Sequence, residues 1–477
     1  MKILEKYKNM SVVLKATMWF MVCSFLQKGL SFITTPIFTR LMTQEQYGVY
    51  SVYTSWLQIL LIFSTLRLDH SVFMKGMSKY SEDKDGYASS MLGLTTAVTT
   101  GMFVIYLIFS NQVNSLLELS TPIMLAMFVE LYVHNASAFW SIRERFDFRY
   151  KSVVIYTLTT AVLSSALSVV AVLLADSKDV ARIMANVFVY AVAGIYIYII
   201  LVKRGKKLFD KEYIKFAVTF NTPLLLYYFS NYIIEQSDRI MIQKIVSFEA
   251  AALYSVAYTV GGLVKIFTAA VTNTLIPLQY RLLEKKDYKS LERNILTVML
   301  CVVGLSVLIA VAGPEIIMIL GGEEYMAAIW VVPPVAASVF FSFFYTVLAN
   351  IEFYYNDNKY AMKLSSVGAL INVVLNLIFI PKFGYVAAAY TTLFSYMVYA
   401  VGHFIHASNL MRRGGAEHGL NYYLFLFLGV ISTTVCILTG YLYHGFVPRI
   451  ILVLLLGIVA FVKRKYIWSL VRTKAID

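Results

Sequence analysis

The sequence predicts an all-α polytopic membrane protein with fourteen transmembrane helices, arranged as two parallel-repeat six-helix lobes and two C-terminal helices. Three observations predict this fold class: the composition, the distribution of basic residues and an internal repeat. The chain has 477 residues, of which 59% are hydrophobic and 14% are charged, whereas soluble domains have about 25% charged residues. Fourteen spans of about 20 residues would use about 280 residues, which is close to the whole apolar content.

This composition excludes several classes of protein. A soluble enzyme, a disordered chain or a nucleic-acid-binding domain would not carry so much apolar sequence. A transmembrane barrel alternates in polarity along each strand, whereas this chain has long continuous apolar runs. The net charge of +14 is therefore interpreted first as membrane topology, and no nucleic-acid partner is expected.

The hydropathy pattern gives fourteen candidate spans. All are interpreted as helices, because backbone polar groups in lipid must be hydrogen-bonded within their own segment. The longest connections, 67–87, 277–293 and 407–421, could not hold a catalytic domain, so no enzyme activity is expected. The predicted spans are 14–37, 47–66, 88–110, 118–140, 153–175, 181–202, 215–236, 249–272, 294–318, 326–348, 362–380, 384–407, 422–443 and 447–467.

The basic residues predict the topology of these spans. With the N-terminus in the cytoplasm, 31 of the 41 lysines and arginines fall on the cytoplasmic side and 7 on the outer side. In this assignment Arg67 lies in a cytoplasmic connection and Arg182 on the outer side. An error of one span would exchange the later connections and destroy the bias. We therefore predict an even number of spans with both termini in the cytoplasm. The first apolar run is too long for a secretory signal and is expected to remain in the mature protein.

An internal repeat relates the two halves of the chain. The segment 40–44 (RLMTQ), followed by 50–54 (YSVYT), is similar to 239–243 (RIMIQ), followed by 254–259 (YSVAYT). Both segments join an odd-numbered span to an even-numbered one on the outer face. The offset of six spans predicts two parallel halves, as in several transporter folds. The alternative is chance similarity between apolar segments.

The repeat also predicts the domain organisation. We expect an N-lobe in 1–206, a C-lobe in 207–414, and two further spans with a cytoplasmic tail in 415–477. Two parallel helical lobes without a soluble domain are typical of a secondary transporter. No glycine-rich phosphate loop followed by lysine and serine or threonine is present, so ATP hydrolysis is not expected. The three cysteines all lie in apolar runs and indicate neither a disulfide nor a metal site. No cofactor is expected.

Two lysines within the predicted spans are candidate substrate-binding residues. Lys28 lies near the middle of span one, and Lys265 lies within span eight. A lysine in hydrocarbon is costly unless it faces water or a partner, so we predict that both line a cationic cavity for an anionic substrate. The alternatives are a structural pair with a carboxylate such as Glu130 for Lys28, and snorkelling to the inner surface for Lys265.

Arg40 and Arg239 occupy equivalent positions in the two repeats, at outer helix ends. Together with Asp238, they are candidates for a gate made of ion pairs that break when the outer side opens. The alternative, which the sequence slightly favours, is a local salt bridge at each helix end with little energetic weight.

Two further features of the spans are candidates for coupling and bending. Glu130 and His134 are four residues apart in span four and share a helix face, so they could carry a proton or another ion. An interlobe hydrogen bond or simple exposure is the favoured alternative. Pro223 removes one backbone hydrogen bond in span seven and is a candidate hinge, although many spans contain prolines without a mechanical role.

Four segments of the chain resemble the Wzx-type polysaccharide flippases, a family of the multidrug/oligosaccharidyl-lipid/polysaccharide exporter superfamily. The most specific is 372–389, which contains NVVLN, then IPKFG, then AAA. The others are 39–51, 221–223 and 237–257. The likeness covers at least 11–410, and the predicted number of spans agrees with the family.

This resemblance implies a function and a set of partners. The substrate would be an oligosaccharide repeat unit linked to undecaprenyl diphosphate. The protein would move it from the inner to the outer leaflet by alternating access, for the synthesis of a surface polysaccharide such as O-antigen or capsule. The location would be the bacterial cytoplasmic membrane, in contact with membrane lipid, and a polysaccharide polymerase and other assembly proteins would be partners.

The resemblance also bears on the two lysines. Lys28 and Lys265 lie in the helices where members of the family and lipid II flippases carry cavity cations. Lysine replaces the more usual arginine, which weakens the case for bidentate phosphate binding.

Three alternatives remain. A lipid II or teichoic-acid precursor flippase shares the mechanism and differs in the head group. A multidrug cation antiporter of the same superfamily usually has twelve spans and acidic cavity groups. A membrane glycosyltransferase usually has a large external loop, whereas the longest outer loop here has about a dozen residues by the span assignment.

Overall fold

The computed structural model describes residues 10–452 and 454. Some side chains within the helices, including those of Lys28 and Pro223, also lie outside the described part. All regular elements of the described residues are helical. The chain divides into two compact units, residues 1–243 and 244–477. The predicted lobe boundary after residue 206 follows from the repeat and stays a prediction.

The first unit contains nine helices in the part that is described. Their bounds are α1 Val12–Leu41, α2 Gln44–Thr65, α3 Ser71–Lys79, α4 Lys84–Ile108, α5 Ser110–Leu117, α6 Thr121–Phe146, α7 Tyr150–Leu174, α8 Lys178–Gly205 and α9 Lys211–Ile245. The helix α6 packs against α2, α4 and α8, and α7 packs against α1 and α8. Stacked aromatic side chains such as Phe73 and Phe139 fill the core beside α3.

The second unit is built around one buried helix. Its helices are α10 Phe248–Glu284, α11 Tyr288–Val311, α12 Gly313–Gly321, a 3₁₀ helix Glu323–Val331, α13 Val332–Tyr354, α14 Asn358–Phe383, α15 Tyr385–Arg413 and α16 Tyr422–Tyr441. Leu442–His444 forms a short 3₁₀ turn, and residues 446–452 are helical. The helix α13 packs against α10, α11, α15 and α16, and α14 packs against α15.

Local sequence signals set the ends of these helices. At the start of α2, Thr43 and Gln46 form a capping box in which each side chain bonds the backbone N–H of the other. Between α14 and α15, Gly384 has a φ of 69°, a conformation in which glycine carries no steric penalty. Its N–H donates to the carbonyl of Ile380 at 2.8 Å. The IPKFG segment therefore ends one span and lets the next begin at Tyr385.

The structure confirms a polytopic, all-helical membrane protein. In the described part of the chain, nine helical segments are long and apolar enough to cross a membrane. Each of the first thirteen predicted spans overlaps a helix of at least 20 residues. Most of the predicted fourteenth span, 447–467, lies outside the described residues. The number of fourteen and the six-plus-six arrangement stay predictions.

Three boundaries differ from those predicted. The predicted span 294–318 is interrupted after Val311, because Gly313 and Pro314 begin a separate helix, α12. The predicted span 326–348 starts as a 3₁₀ helix and becomes α-helical only at Val332, next to two consecutive prolines. The connection 67–87 contains the short helix α3.

Candidate functional site

The predicted site residues fall into two groups according to what the structure describes. The side chains of Lys28 and Pro223 lie outside the described part, so their predicted roles in substrate binding and bending stay predictions. Lys265 and the pair Glu130 and His134 have described surroundings within single units. So do the candidate gate residues.

Lys265 is partly buried on α10, within a segment that is apolar enough to span a membrane. Its Nζ lies 5.1 Å from the ring centroid of Tyr258 and 3.3 Å from the Tyr258 hydroxyl. The two residues are separated by two helical turns on one face of α10. The tyrosine ring thus holds the ammonium group beside the helix by a cation–π contact. This geometry keeps a positive charge at a fixed position within the span.

Glu130 and His134 have different neighbours although they share one face of α6. The hydroxyl of Tyr53, on α2, donates to Glu130 Oε2 at 2.7 Å. His134 instead interacts electrostatically with Asp69 and Arg67. In the described structure, Glu130 and His134 are not hydrogen-bonded to each other. The predicted role of the two residues in proton or ion coupling stays a prediction.

Arg67 lies in the connection between α2 and α3 and is buried. Only 4% of the residue is exposed, because Leu66 and Arg67 both have positive φ values and turn the chain back at the end of α2. The guanidinium carbon lies 5.0 Å from the ring centroid of Tyr232 and 5.7 Å from that of Tyr228. Its Nη2 is 3.6 Å from Asp69 Oδ2. A cation is thereby placed against two aromatic rings of α9.

The first half of α9 is attached to this turn. The side-chain amide of Asn221 donates to the carbonyl oxygen of Leu66, and the ring of His70 stacks on Tyr228 at 4.8 Å. Asn221 belongs to the NTP segment that carried part of the family resemblance. That segment pointed to a bend, whereas the described contact of Asn221 is an anchor between α9 and the end of α2.

Arg182, near the start of α8, is also buried, and 7% of it is exposed. Its guanidinium carbon lies 3.5 Å from the centroid of Tyr50, 3.7 Å from that of Phe38 and 5.2 Å from that of Tyr47. We call these three rings and Arg182 the arginine cage. The cage joins α1, α2 and α8 and therefore fixes the first repeat segment in place.

Of the candidate gate residues, Arg40 lies at the end of α1, whereas Asp238 and Arg239 lie within α9, before its last turn. Arg40 is exposed and donates to the carbonyl of Pro36 at 2.8 Å. Arg239 donates to the carbonyl of Glu235 at 3.0 Å and to Gln236 Oε1 at 3.3 Å. Asp238 is buried. The gate and the helix-end alternative both stay predictions.

A buried polar network in the second unit joins α14 and α15. The amide of Asn372 donates to the Thr392 hydroxyl at 2.9 Å, and the hydroxyl of Thr391 donates to Asn376 Oδ1. All four residues are buried. Both asparagines belong to NVVLN in the most specific segment of the family resemblance, so the sequence carried a signal for this network although no role was assigned to it.

A cluster of ion pairs lies around the connection between α6 and α7. Asp147 accepts a hydrogen bond from Lys84 at 3.0 Å and another from Arg143, which also bonds Asp85 at 2.8 Å. Burial by itself would raise the pKa of Asp147, but the hydrogen bonds from Arg143 and Lys84 and their charges leave it below the usual value. Asp147 therefore stabilises the folded state in its ionised form.

This pKa shift predicts how stability depends on pH. Because the folded-state pKa of Asp147 is depressed, its contribution is present above its unfolded pKa of about 3.9 and is lost as pH falls through the folded value. We expect Asp147→Asn to lower the thermal midpoint of the purified protein at pH 7 and to reduce its fall on acidification. Asp176→Asn, at an exposed residue between α7 and α8, is the matched control. Equal acid profiles for wild type and Asp147→Asn would contradict the assignment.

Comparison with known proteins defines the class. The chain has the fold of lipid II flippase MurJ in its inward closed conformation, with a TM-score of 0.68, 13% identity, and coverage of 94% of this chain and 99% of that one. An outward-facing multidrug resistance MATE transporter of the MOP superfamily matches with a TM-score of 0.56, 12% identity, and coverage of 84% and 96%. These folds are those of membrane transporters and flippases.

The family follows from sequence. Residues 13–283 match the family described as polysaccharide biosynthesis protein, and the chain belongs to that family. It is also 22% identical over 436 residues to the uncharacterized membrane protein MJ1068 of Methanocaldococcus jannaschii, covering 82% of this chain and 83% of that protein. The resemblance to the Wzx-type polysaccharide family is thereby confirmed, and the protein is a multi-pass membrane protein of the polysaccharide biosynthesis family.

Proposed function

We propose that this protein moves an oligosaccharide repeat unit linked to undecaprenyl diphosphate from the inner to the outer leaflet of the bacterial cytoplasmic membrane. The observation that carries the proposal is the family match over residues 13–283. The transport would proceed by alternating access and serve the synthesis of a surface polysaccharide such as O-antigen or capsule. Both termini would be cytoplasmic, and a polysaccharide polymerase and other assembly proteins would be partners.

The electrostatics of the chain support an anionic substrate. A diphosphate diester carries about two negative charges, and an inside-negative potential contributes about 2.3 kcal/mol per charge per 100 mV if the charges cross the whole field. A cation fixed within a span would replace part of the lost hydration. Lys265, held against Tyr258, is suited to this role, and Lys28 is proposed for the same role on α1. The lipid tail can remain in the bilayer while the head group crosses.

A second candidate substrate is a lipid II or teichoic-acid precursor. It is favoured by the fold likeness to lipid II flippase MurJ, which covers nearly all of both chains. The two substrates share the polyprenyl diphosphate and differ in the sugars. A multidrug cation antiporter is less well supported, because the candidate binding residues Lys28 and Lys265 are positively charged and would repel an organic cation.

The test is lipid flipping in proteoliposomes, with and without an imposed membrane potential. We expect the full-length protein to move a fluorescent undecaprenyl-diphosphate oligosaccharide, and we expect the variant with Lys28→Ala and Lys265→Ala to lose most of that movement. Lys382→Ala removes an exposed lysine at the end of α14 and should behave as wild type. The same assay with a lipid II analogue discriminates between the head groups.

One outcome would contradict the proposed function, and another would contradict the proposed role of the two lysines. Uptake of organic cations against a proton or sodium gradient, without movement of any of these lipids, would identify a drug antiporter. Normal flipping by the folded double variant would keep the flippase and remove the two lysines from substrate binding.

A further inference from the structure

Two fully buried ionisable side chains face each other in the core of the second unit. Glu352 lies on α13 and His403 on α15, and both side chains are 0% exposed. Glu352 Oε1 and His403 Nδ1 are 2.8 Å apart. The two helices also pack closely along their length. A glutamate and a histidine are thus enclosed within a bundle whose other buried residues are mostly apolar.

The bonding of this pair is incomplete. Glu352 Oε2 and His403 Nε2 are buried and have no hydrogen-bond partner among the described residues. A pair kept for stability alone should satisfy its remaining polar atoms, because each unsatisfied buried atom opposes folding. Apolar residues of similar volume often stabilise a core as well as such a pair does. The pair is therefore better explained by its ionisation chemistry than by packing.

A second carboxylate–imidazole pair, His406 and Asp357, lies between the first pair and the surface of the unit. His406 lies one helical turn beyond His403 on α15, and its Nε2 is 3.0 Å from Asp357 Oδ2. Glu352 interacts electrostatically with both His406 and Asp357. The exposed fraction of the side chains rises from 0% for the first pair to 14% for His406 and 36% for Asp357. The four residues form a graded route from the core to the surface of the unit.

Among the described residues, the surroundings of the pair supply no other counter-charge. Tyr345 and Tyr399 place their rings 5.8 Å and 4.5 Å from the ring of His403, and Tyr360 stacks on His406 at 3.5 Å. In the part of the chain that the structure describes, neither Glu352 nor His403 pairs with a lysine or an arginine, whether from α10, α11, α14 or α16. No group of three metal-ligating side chains occurs among the same residues. A proton is therefore the charge that is available to neutralise the Glu352 carboxylate.

We propose that Glu352 and His403 form a proton-binding site that is loaded and emptied through His406 and Asp357. With one proton the pair is neutral, either as carboxylate and imidazolium or as carboxylic acid and imidazole. Uptake of a second proton from water gives the pair a charge of +1, and release of the only proton to water leaves −1. A net charge is costly in an apolar core, so proton exchange is coupled to opening of the unit. The link between this exchange and lipid transport rests on the proposed function.

The binding site is tested directly by infrared difference spectroscopy of the full-length purified protein between two pH values. We expect a carbonyl band of a protonated carboxylic acid that is lost in Glu352→Gln and kept in Glu315→Gln. Glu315 is the matched control because it lies in the same unit and is bonded to Arg449 at its partly exposed position. His403→Gln should shift the pH at which the band appears. Folding of each variant is checked by gel filtration and thermal unfolding.

Coupling is tested in the proteoliposome assay with an imposed pH gradient. We expect the gradient to change the wild-type flipping rate and to have no effect on Glu352→Gln, while Glu315→Gln responds like wild type. A folded Glu352→Gln variant that keeps the carboxylic acid band overturns the proton site, whether or not lipid is flipped. A Glu352-dependent band in a protein that flips no lipid keeps the site and overturns the proposed function instead. If flipping of Glu352→Gln responds to the gradient like wild type, the coupling is wrong.

Discussion

Lys265→Glu is expected to abolish flipping of a diphosphate-linked lipid, while Lys265→Arg keeps most of it. At a separation of about 5 Å and an effective dielectric constant of about 20, one unit-charge pair contributes about 3 kcal/mol. Reversing the sign of Lys265 replaces this attraction with repulsion. The expected loss is at least a hundredfold in rate, since each factor of ten corresponds to about 1.4 kcal/mol.

The cation–π contact refines this prediction. Tyr258→Phe removes the hydroxyl that lies 3.3 Å from Lys265 Nζ but keeps the ring, so a small effect is expected. Tyr258→Leu removes the ring and should weaken transport further, because the ammonium loses its fixed position. Lys382→Glu, at the exposed end of α14, controls for a general effect of reversing a charge. Normal transport by Lys265→Glu in a correctly folded protein would remove Lys265 from the substrate path.

The helical fold was predictable because a span in lipid needs a continuous apolar segment of limited length, and such segments are visible in the sequence. Gly313 and Pro314 signal the interruption of the ninth predicted span, but hydropathy alone does not predict it, since the apolar run continues on both sides. The 3₁₀ segment before Val332 was missed for the same reason, although Pro333 and Pro334 signal a change of helix geometry.

The surroundings of the charged residues were less predictable, because counting charges assigns a residue to one side of the membrane and does not predict its burial. Arg67 directly follows a predicted span and Arg182 lies at the start of another, and both pack against aromatic rings. The rings come from segments far away in sequence: Tyr232 is on α9, and Tyr50 is on α2. The spacing of residues along the chain therefore does not predict these contacts.

The pair of Glu352 and His403 shows a second limit of prediction from the sequence. The predicted span 326–348 ends before Glu352, whereas α13 continues to Tyr354, so the sequence places the glutamate in a connection. His403 was inside a predicted span but had no sequence neighbour that marked it as special. A position-by-position reading could find a buried histidine there, but not the carboxylate that it bonds 51 residues away.

Arg182→Ala is expected to destabilise the protein by about 3–5 kcal/mol. A cation–π contact contributes about 2 kcal/mol when it is removed from water, and deletion of a large buried side chain also leaves a cavity. Arg182 touches three rings, and its Nη1 also donates to Met42 Sδ at 3.8 Å. Among the described residues no carboxylate pairs with Arg182, so the aromatic rings are the main groups that compensate for its burial.

Substitutions at the same site separate charge from volume. Arg182→Met keeps much of the side-chain volume without the charge. Compared with Arg182→Ala, it should regain only the part of the stability that is lost through the cavity. Arg182→Lys keeps the charge but loses the planar group that stacks on Tyr50 and Phe38, so we expect an intermediate thermal midpoint. Lys203→Ala, at an exposed position on the same helix α8, should leave the midpoint nearly unchanged. Thermal unfolding of the purified protein in detergent measures all four.

The Arg182→Ala variant also tests whether the arginine cage fixes the position of the first repeat segment. The adjacent Lys178 donates to the carbonyl oxygen of Leu41 at 2.6 Å, so α8 holds the junction between α1 and α2 at two points one turn apart. If the cage fixes this junction, Arg182→Ala should expose residues 38–50 to faster amide hydrogen exchange, while α6 and α7 remain protected. A variant that unfolds and exchanges like wild type would show that the three rings pack without help from the cation.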